Sequence, residues 1–275
     1  GSRPRWRTGS RTGTGGAGKT RLALAVAAAV EAPRDFPDGV FFAPLAPLHD
    51  PHHVLPALGE ALGIVQTQSP RPPSKQPGTS PLSLLDILAD ALRDRTLLLI
   101  VDNFEHLLPA APDVSHLLRE VPGLTVLVTS RAALNVQGET RYVVQPLSLP
   151  TPEALSNLKA LAQVDAVALF VERARAIRPD FELTEANAPV IAAICERLDG
   201  LPLALELAAR HLRAISPQAL LKRLDRRFHL LVDGPRDAPR RQRALQATLD
   251  WSFDLLAPDG QVVLRRLSVF AGGFT

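Results

Sequence analysis

The chain opens polar and arginine-rich, GSRPRWRTGSR over residues 1–11, and its first sustained apolar pattern begins only near Lys19. Residues 19–31 (KTRLALAVAAAVE) are alanine-rich, with good helical propensity throughout, and predict a helix. GVFFAPL at 39–45 predicts a short strand, 52–63 a helix, and 82–93 a further helix with Leu84, Leu85, Leu88 and Leu92 on one side. Between those two helices, QTQSPRPPSKQPGTSP at 66–81 holds too little apolar surface to order itself and predicts a flexible insertion. TLLLIVDN at 96–103 and TVLVTSR at 125–131 are apolar runs short enough for fully buried parallel strands. A helix over 113–120 and a Pro-Gly turn separate them, and YVVQPL at 142–147 offers one more strand. Strand and helix in alternation argue for an α/β fold, a parallel sheet covered on both faces.

From 151 the pattern becomes wholly helical, with helices expected at 164–178, 185–199, 201–214, 217–224, 241–256 and 259–270. The turn cluster VDGPRDAPR at 232–240 reads as a linker. The expected organisation is a disordered tail over 1–12, an α/β domain over 13–150, a helical domain over 151–231, and a last segment over 241–275 that breaks off at Thr275. The 275 residues allow one large or two modest domains with a sizeable core. Methionine is absent, including at position 1, which predicts a piece of a longer chain.

Composition narrows the function classes. A single cysteine, Cys195, excludes an internal disulfide framework, and its setting, IAAICERLDG, has the spacing of a buried helix face. The longest apolar run, LALAVAAAV, falls short of the ~18 residues a membrane span needs. No apolar segment follows the basic N-terminus as in a secretory signal, so a cytoplasmic location is expected. The net charge of +3 is too small over this length to make a dense basic patch for nucleic acid. Lysine occurs only at 19, 75, 159 and 222 against abundant arginine, and Lys19 stands out against that bias.

Lys19 closes Gly13-Thr14-Gly15-Gly16-Ala17-Gly18-Lys19-Thr20, a full match to the phosphate-binding loop G-x-x-x-x-G-K-[ST]. Such a loop turns successive amides inward, so Gly13, Gly15, Gly16, Ala17 and Gly18 are expected to cradle the phosphates of ATP or ADP. Lys19 is placed to reach the β- and γ-phosphates, the Thr20 hydroxyl is the expected Mg²⁺ ligand, and Arg21 follows as a further nucleotide contact. The helix that starts at 19 directs its positive end at the same anion. Such a motif needs a buried strand before it, yet PRWRTGSR at 4–11 offers one tryptophan among arginines. The first strand is therefore expected to be missing or degraded, with nucleotide binding weakened as a result.

LLLIVDNFEH at 97–106 has the form of a Walker B strand, an apolar run ending in a carboxylate that lies near the phosphates. Asp102 is the expected partner of Mg²⁺. Where many ATPases place a water-positioning acid this chain has Asn103, with the next carboxylate at Glu105, so slow hydrolysis is expected of Lys19, Asp102 and Asn103 as catalytic residues.

Together TGTGGAGKTRLALAVA, LLLIVDNFEHLLPA, TVLVTSRAAL, DAVALFVERARAIRPDF, ICERLDGLPLALELAA and LDWSFDLLAPDGQVVLRRLSVFAGGFT resemble the signal-transducing STAND ATPases, in particular bacterial AfsR- and LuxR-type regulators related to NB-ARC domains. The resemblance covers nearly all of 12–275. It implies a P-loop sheet with the TVLVTSR strand inserted between the P-loop and Walker B strands. It implies that Arg131 lies near the γ-phosphate as a sensor arginine, a role a planar guanidinium suits. By the same resemblance Gly200-Leu201-Pro202-Leu203 is a GLPL motif whose Pro202 packs against adenine, and 241–275 is the start of a winged-helix domain.

The expected function is an ATP/ADP-binding signal-transduction switch in a larger transcriptional regulator, working with Mg²⁺ and slow hydrolysis. Its other domains and a homo-oligomer formed in the ATP state are the expected partners, with no membrane contact. A constitutive ATPase, or a degraded stretch with little nucleotide binding, is the alternative. DNA contact through Arg240-Arg241-Gln242-Arg243 is not expected, because no recognition helix with neighbouring basic residues follows; DNA binding belongs to a domain outside this chain.

Overall fold

Main-chain pairing, more than side-chain pattern, decides where the strands lie. In the computed structural model, which describes residues 8–12, 15–30, 32–64, 83–230, 253 and 258–268, five parallel strands stand in the order β2-β3-β4-β1-β5. They are β1 (Thr8–Thr12), β2 (Val40–Pro44), β3 (Leu97–Asp102), β4 (Leu124–Thr129) and β5 (Glu139–Val143). β3 reads as an unbroken apolar run because both of its faces are covered. Leu97, Leu99 and Val101 join Val126 and Val128 of β4 in one core cluster, while Leu98 and Ile100 pack with Ala23 on the opposite face.

The helices of this sheet unit are α1 (Lys19–Ala29), α2 (Ala32–Asp35), α3 (Val54–Ala61), α4 (Leu84–Leu92) and α5 (Ala111–Glu120). α4 starts where it does because Ser83 and Asp86 form a reciprocal capping box: the Ser83 hydroxyl accepts from the Asp86 N–H at 3.2 Å, and the Asp86 carboxylate accepts from the Ser83 N–H at 3.0 Å. Leu85, Leu88 and Leu92 are buried from that start onward, with Leu84 packed partly against the same core.

The chain divides into two compact units, and the loop residues 15–18 are grouped with the helical one that begins at Gln145. That unit holds α6 (Pro152–Leu155), α7 (Leu158–Ala162), α8 (Asp165–Ile177), α9 (Ala188–Arg197), α10 (Pro202–Arg210), α11 (Pro217–Leu230) and α12 (Pro258–Leu267). Phe170, Ile191, Ile194, Leu205 and Ala208 are fully buried in its core, and Arg173 of α8 donates to Glu206 of α10 at 2.9 Å. Cys195 is buried on α9, where desolvation, with a smaller push from the Glu196 charge, raises its thiol to about 12. A thiol held that far from ionisation is an inert packing group.

α9 ends in two consecutive left-handed residues, Asp199 (φ 53°) and Gly200 (φ 63°), and Pro202 then occupies the first turn of α10. Gly200 is fixed by more than its dihedral. Its carbonyl accepts from the Leu147 N–H at 3.0 Å, and a Cβ there would stand 2.4 Å from the Leu147 carbonyl oxygen.

Two expectations are corrected. The reading of 1–12 as a tail with the first strand missing fails at Thr8–Thr12, which pairs with β4 on one side and β5 on the other. TGSRT has no apolar residue to reveal it; the strand is specified by two main-chain ladders, a signal that hydropathy does not carry. The last strand is Glu139–Val143 where 142–147 is expected. The turn before it is set by the Glu139 carboxylate, which accepts from the Leu134 and Asn135 N–H groups, so pairing with β1 begins at Glu139. The insertion at 66–81, the linker at 232–240 and most of the helix expected at 241–256 lie outside the described residues.

Gly200→Ala is expected to destabilise the helical unit by about 2–4 kcal/mol, since a left-handed alanine and a displaced carbonyl add together. Gly63→Ala is the control: it shares the positive φ (68°) but meets no atom within 4 Å. It should cost the sheet unit only about 1 kcal/mol, read by urea titration of each variant.

Candidate nucleotide site

The loop expected to hold phosphate runs on into α1. Gly16 and Gly18 have φ of 78° and 86°, the left-handed region in which glycine alone is unstrained. Ala17 between them is buried, and Gly15 is half-buried in the turn. Within the helical unit the loop meets the start of α10: the Leu203 N–H donates to the Gly16 carbonyl at 3.3 Å, and a Cβ on Gly18 would lie 3.9 Å from Pro202 Cγ. A donor of the first turn of α10, which has no partner inside that helix, is thereby satisfied on the loop. Pro202 is thus brought beside the expected phosphate loop. Gly13 lies outside the described residues.

In the sheet unit, parallel register carries the chemistry. Val101 of β3 pairs with Val128 of β4, so Asp102 and Thr129 are the next residues of neighbouring strands at the carboxyl end of the sheet. Thr129 is buried. Its hydroxyl donates to Asp102 Oδ1 at 2.5 Å and accepts from the Asn103 N–H at 3.0 Å. The Thr20 hydroxyl donates to the same Asp102 oxygen at 2.8 Å. One carboxylate oxygen is therefore held from two sides by hydroxyls, one on α1 and one on β4.

Asn103 sits in the left-handed region (φ 69°, ψ 51°), which asparagine tolerates better than most side chains. The turn it makes sends Phe104 into the core, fully buried, and brings Glu105 round on a short 3₁₀ turn. Glu105 Oε1 stands 2.9 Å from Arg131 Nε in an ion pair. Glu105 Oε2 is buried with no protein donor among the described residues. Ser130, fully buried, accepts from the Ala132 N–H at 3.2 Å and fixes the turn that carries Arg131.

Lys19 lies within electrostatic reach of this group. Its own burial lowers the ammonium below the ordinary lysine value; Glu105 opposes that, Arg131 adds to it, and Asp102 opposes it more weakly than Glu105. Arg21 is exposed on α1. The expected residues Lys19, Thr20, Asp102, Asn103 and Arg131 are thus gathered at one end of the sheet. Thr129 and Glu105 belong with them and were not singled out as site residues by sequence. The legible signal for Thr129 is a hydroxyl ending the strand next to the Walker B run; for Glu105 it is its place as the next carboxylate after Asp102.

The oxygen pair of Thr20 and Asp102 fits a small hard cation of the Mg²⁺ type, which takes one or two protein oxygens and completes its shell with water and phosphate. No cluster of three or more His, Cys, Asp or Glu able to hold a metal by itself occurs among the described residues. No helix among them is long and apolar enough to cross a membrane.

A protein of Mycobacterium tuberculosis, provisionally named an HTH-type transcriptional regulator, is 39% identical over 263 residues, covering 95% of this chain and 26% of that one. An uncharacterized protein of the same species is 39% identical over 264 residues, covering 96% of this chain and 60% of that one. The chain therefore spans between about a quarter and three-fifths of these relatives. The Aeropyrum pernix ORC2 protein, solved as ADPNP-ADP complexes, aligns over 90% of this chain and 80% of its own with 16% identity and a TM-score of 0.39, too distant a likeness to extend anything to this chain. Residues 9–136, a little under half of the chain, match the family model described as an AAA domain.

Proposed function

We propose that this chain is an ATP- and ADP-binding switch module of a larger bacterial transcriptional regulator, of the STAND type related to NB-ARC domains and to AfsR- and LuxR-type proteins. The observation that carries the reading is the convergence of Lys19, Thr20, Asp102 and Arg131 at the carboxyl end of one parallel sheet. A half-buried ammonium gains most from an anion that replaces its lost hydration, which is what the phosphates of a nucleotide offer Lys19. Thr20 and Asp102 would hold Mg²⁺, which when bound neutralises phosphate charge. The amides of Gly15, Gly16, Ala17 and Gly18, with Gly13 before them in the motif, would complete the cradle. Pro202 would then border the nucleotide from the start of α10, and Arg21 contact it from α1.

A switch needs a contact that one nucleotide makes and the other does not. Arg131 supplies it on this reading, as the contact to the γ-phosphate. Hydrolysis is slow because Asn103 carries no proton-accepting carboxylate at the position after Asp102. The module works in the cytoplasm with the other domains of its regulator, forms a homo-oligomer in the ATP state, and leaves DNA to a domain outside this chain. In that organisation 151–231 is the helical domain and 241–275 the entry to a winged helix.

Lys19→Ala should weaken ATP and ADP alike, by roughly tenfold or more, the worth of a charged hydrogen bond. Isothermal calorimetry on folded variant decides it, and undiminished affinity would remove the phosphate-loop assignment. Turnover with Mg²⁺ in a single-turnover assay should be slower than about one per minute, since typical kinases work at 1–100 s⁻¹; rapid multiple turnover would favour a constitutive ATPase. Arg131→Ala should lower ATP affinity about tenfold and leave ADP within about twofold. Equal losses for both nucleotides would make Arg131 a support of the fold or of a shared phosphate.

A further inference from the structure

Acting alone, Arg131 would discriminate poorly. Its side chain is 65% exposed, and a long exposed arginine samples many rotamers in water, so contact with a γ-phosphate would be diluted by the conformations that miss it. What singles it out is its partner. Glu105 is only 18% exposed, and it rides on the 3₁₀ turn that left-handed Asn103 begins and fully buried Phe104 anchors. A rigid carboxylate therefore holds a mobile cation.

The atom it holds matters. The contact runs through Nε, the inner nitrogen, at 2.9 Å. A guanidinium paired there is held by charge near its base, while its two terminal nitrogens are left as the fork that suits bidentate contact with phosphate oxygens. Glu105 also lies where it offsets the repulsion between Arg131 and Lys19, and it is the carboxylate that Lys19 feels most. Its second oxygen, buried without a protein donor among the described residues, leaves the group dependent on neighbouring positive charge for its solvation.

We propose that Glu105 is a positioning residue for the triphosphate: it orients Arg131 so that the fork meets the γ-phosphate, and it thereby sets the preference for ATP over ADP. This rests on the reading that the 13–20 loop holds the phosphates. It adds that selectivity is written in the Glu105–Arg131 pair and not in Arg131 alone. The carboxylate touches no phosphate itself; its negative charge beside an anion is offset by the guanidinium it grips.

The test is a cycle on the full 275-residue chain with Glu105→Ala, Glu105→Gln, Arg131→Ala and the Glu105→Ala/Arg131→Ala double variant, titrated calorimetrically with ATP and with ADP. Glu105→Ala should lower ATP affinity about tenfold and ADP affinity less than about twofold, a loss of preorganisation and not of the phosphate cradle. Glu105→Gln keeps an acceptor for Nε and should recover part of that loss, leaving about a threefold deficit for ATP. In the Arg131→Ala background, Glu105→Ala should no longer change the ATP-to-ADP ratio. A rise in ATP affinity on removing Glu105 would overturn the proposal, because the carboxylate would then be a latch that withholds Arg131. An unchanged ratio, or a change that persists without Arg131, overturns it too.

A second readout needs no nucleotide. The Arg131 Nε–H resonance, identified in ¹⁵N-edited NMR spectra by its loss in Arg131→Ala, should exchange slowly with water in the parent chain and fast in Glu105→Ala. Slow exchange together with failed nucleotide binding by the parent chain would sink the loop assignment, and the positioning role with it, while leaving the ion pair intact. Fast exchange in the parent chain would overturn the positioning role alone.

Discussion

The register between β3 and β4 is the constraint on which the rest of the site depends. Val101 opposite Val128 places Asp102 beside Thr129, and a shift of one residue would send Asp102 to the other face while exposing part of a fully buried strand. Burial of Leu97, Leu99 and Val101 against one core, and of Leu98 and Ile100 against another, makes such a slip costly in both directions. The apolar interior of the sheet thus fixes the geometry of its polar end. From that fixed pair the hydrogen bonds spread: Thr129 to Asp102, Asn103 to Thr129, and Thr20 from the first turn of α1 to the same carboxylate oxygen.

Lys19 gives that end its electrostatic character. Burial works against its charge, and the surrounding groups act with alternating sign: Glu105 supports the ammonium, Arg131 opposes it, Asp102 supports it. Two cations and two carboxylates therefore share a small volume with near balance. An added anion would meet Lys19 and Arg131 at an advantage only because the carboxylates are already committed, Asp102 to two hydroxyls and Glu105 to a guanidinium. On the switch reading, this is why phosphate can enter beside two acids.

What sequence made legible follows from how strongly each feature depends on side-chain type. The buried runs of β3 and β4, the helix at 84–92 with its Leu85, Leu88 and Leu92 face, and the glycines of the loop all announce themselves in residue identity. The insertion of β4 between β1 and β3 came through family resemblance, since order in a sheet is not written in local periodicity. β1 was hidden for the opposite reason: Thr8–Thr12 is held by ladders on both sides, and main-chain bonds are indifferent to the polarity of TGSRT. Thr129 and Glu105 were hidden because their roles arise from neighbours 27 and 26 residues away, Asp102 and Arg131, which only the folded chain brings near.

The position after Asp102 illustrates how one backbone conformation redistributes chemistry. An extended residue there would continue β3 and present its side chain on the face opposite to the aspartate. Asn103 instead turns left-handed, its N–H is bound by Thr129, and the chain folds at once into the 3₁₀ turn Phe104–His106. With Phe104 driven into the core, the next acidic side chain to return to the site is Glu105, and it arrives bound to Arg131. An acid paired with a guanidinium in that way is not free to turn toward a water beside Asp102. The same local turn that moves the carboxylate away from the position after Asp102 thus joins it to the arginine, so that on the switch reading slow chemistry and nucleotide discrimination would share a single structural cause.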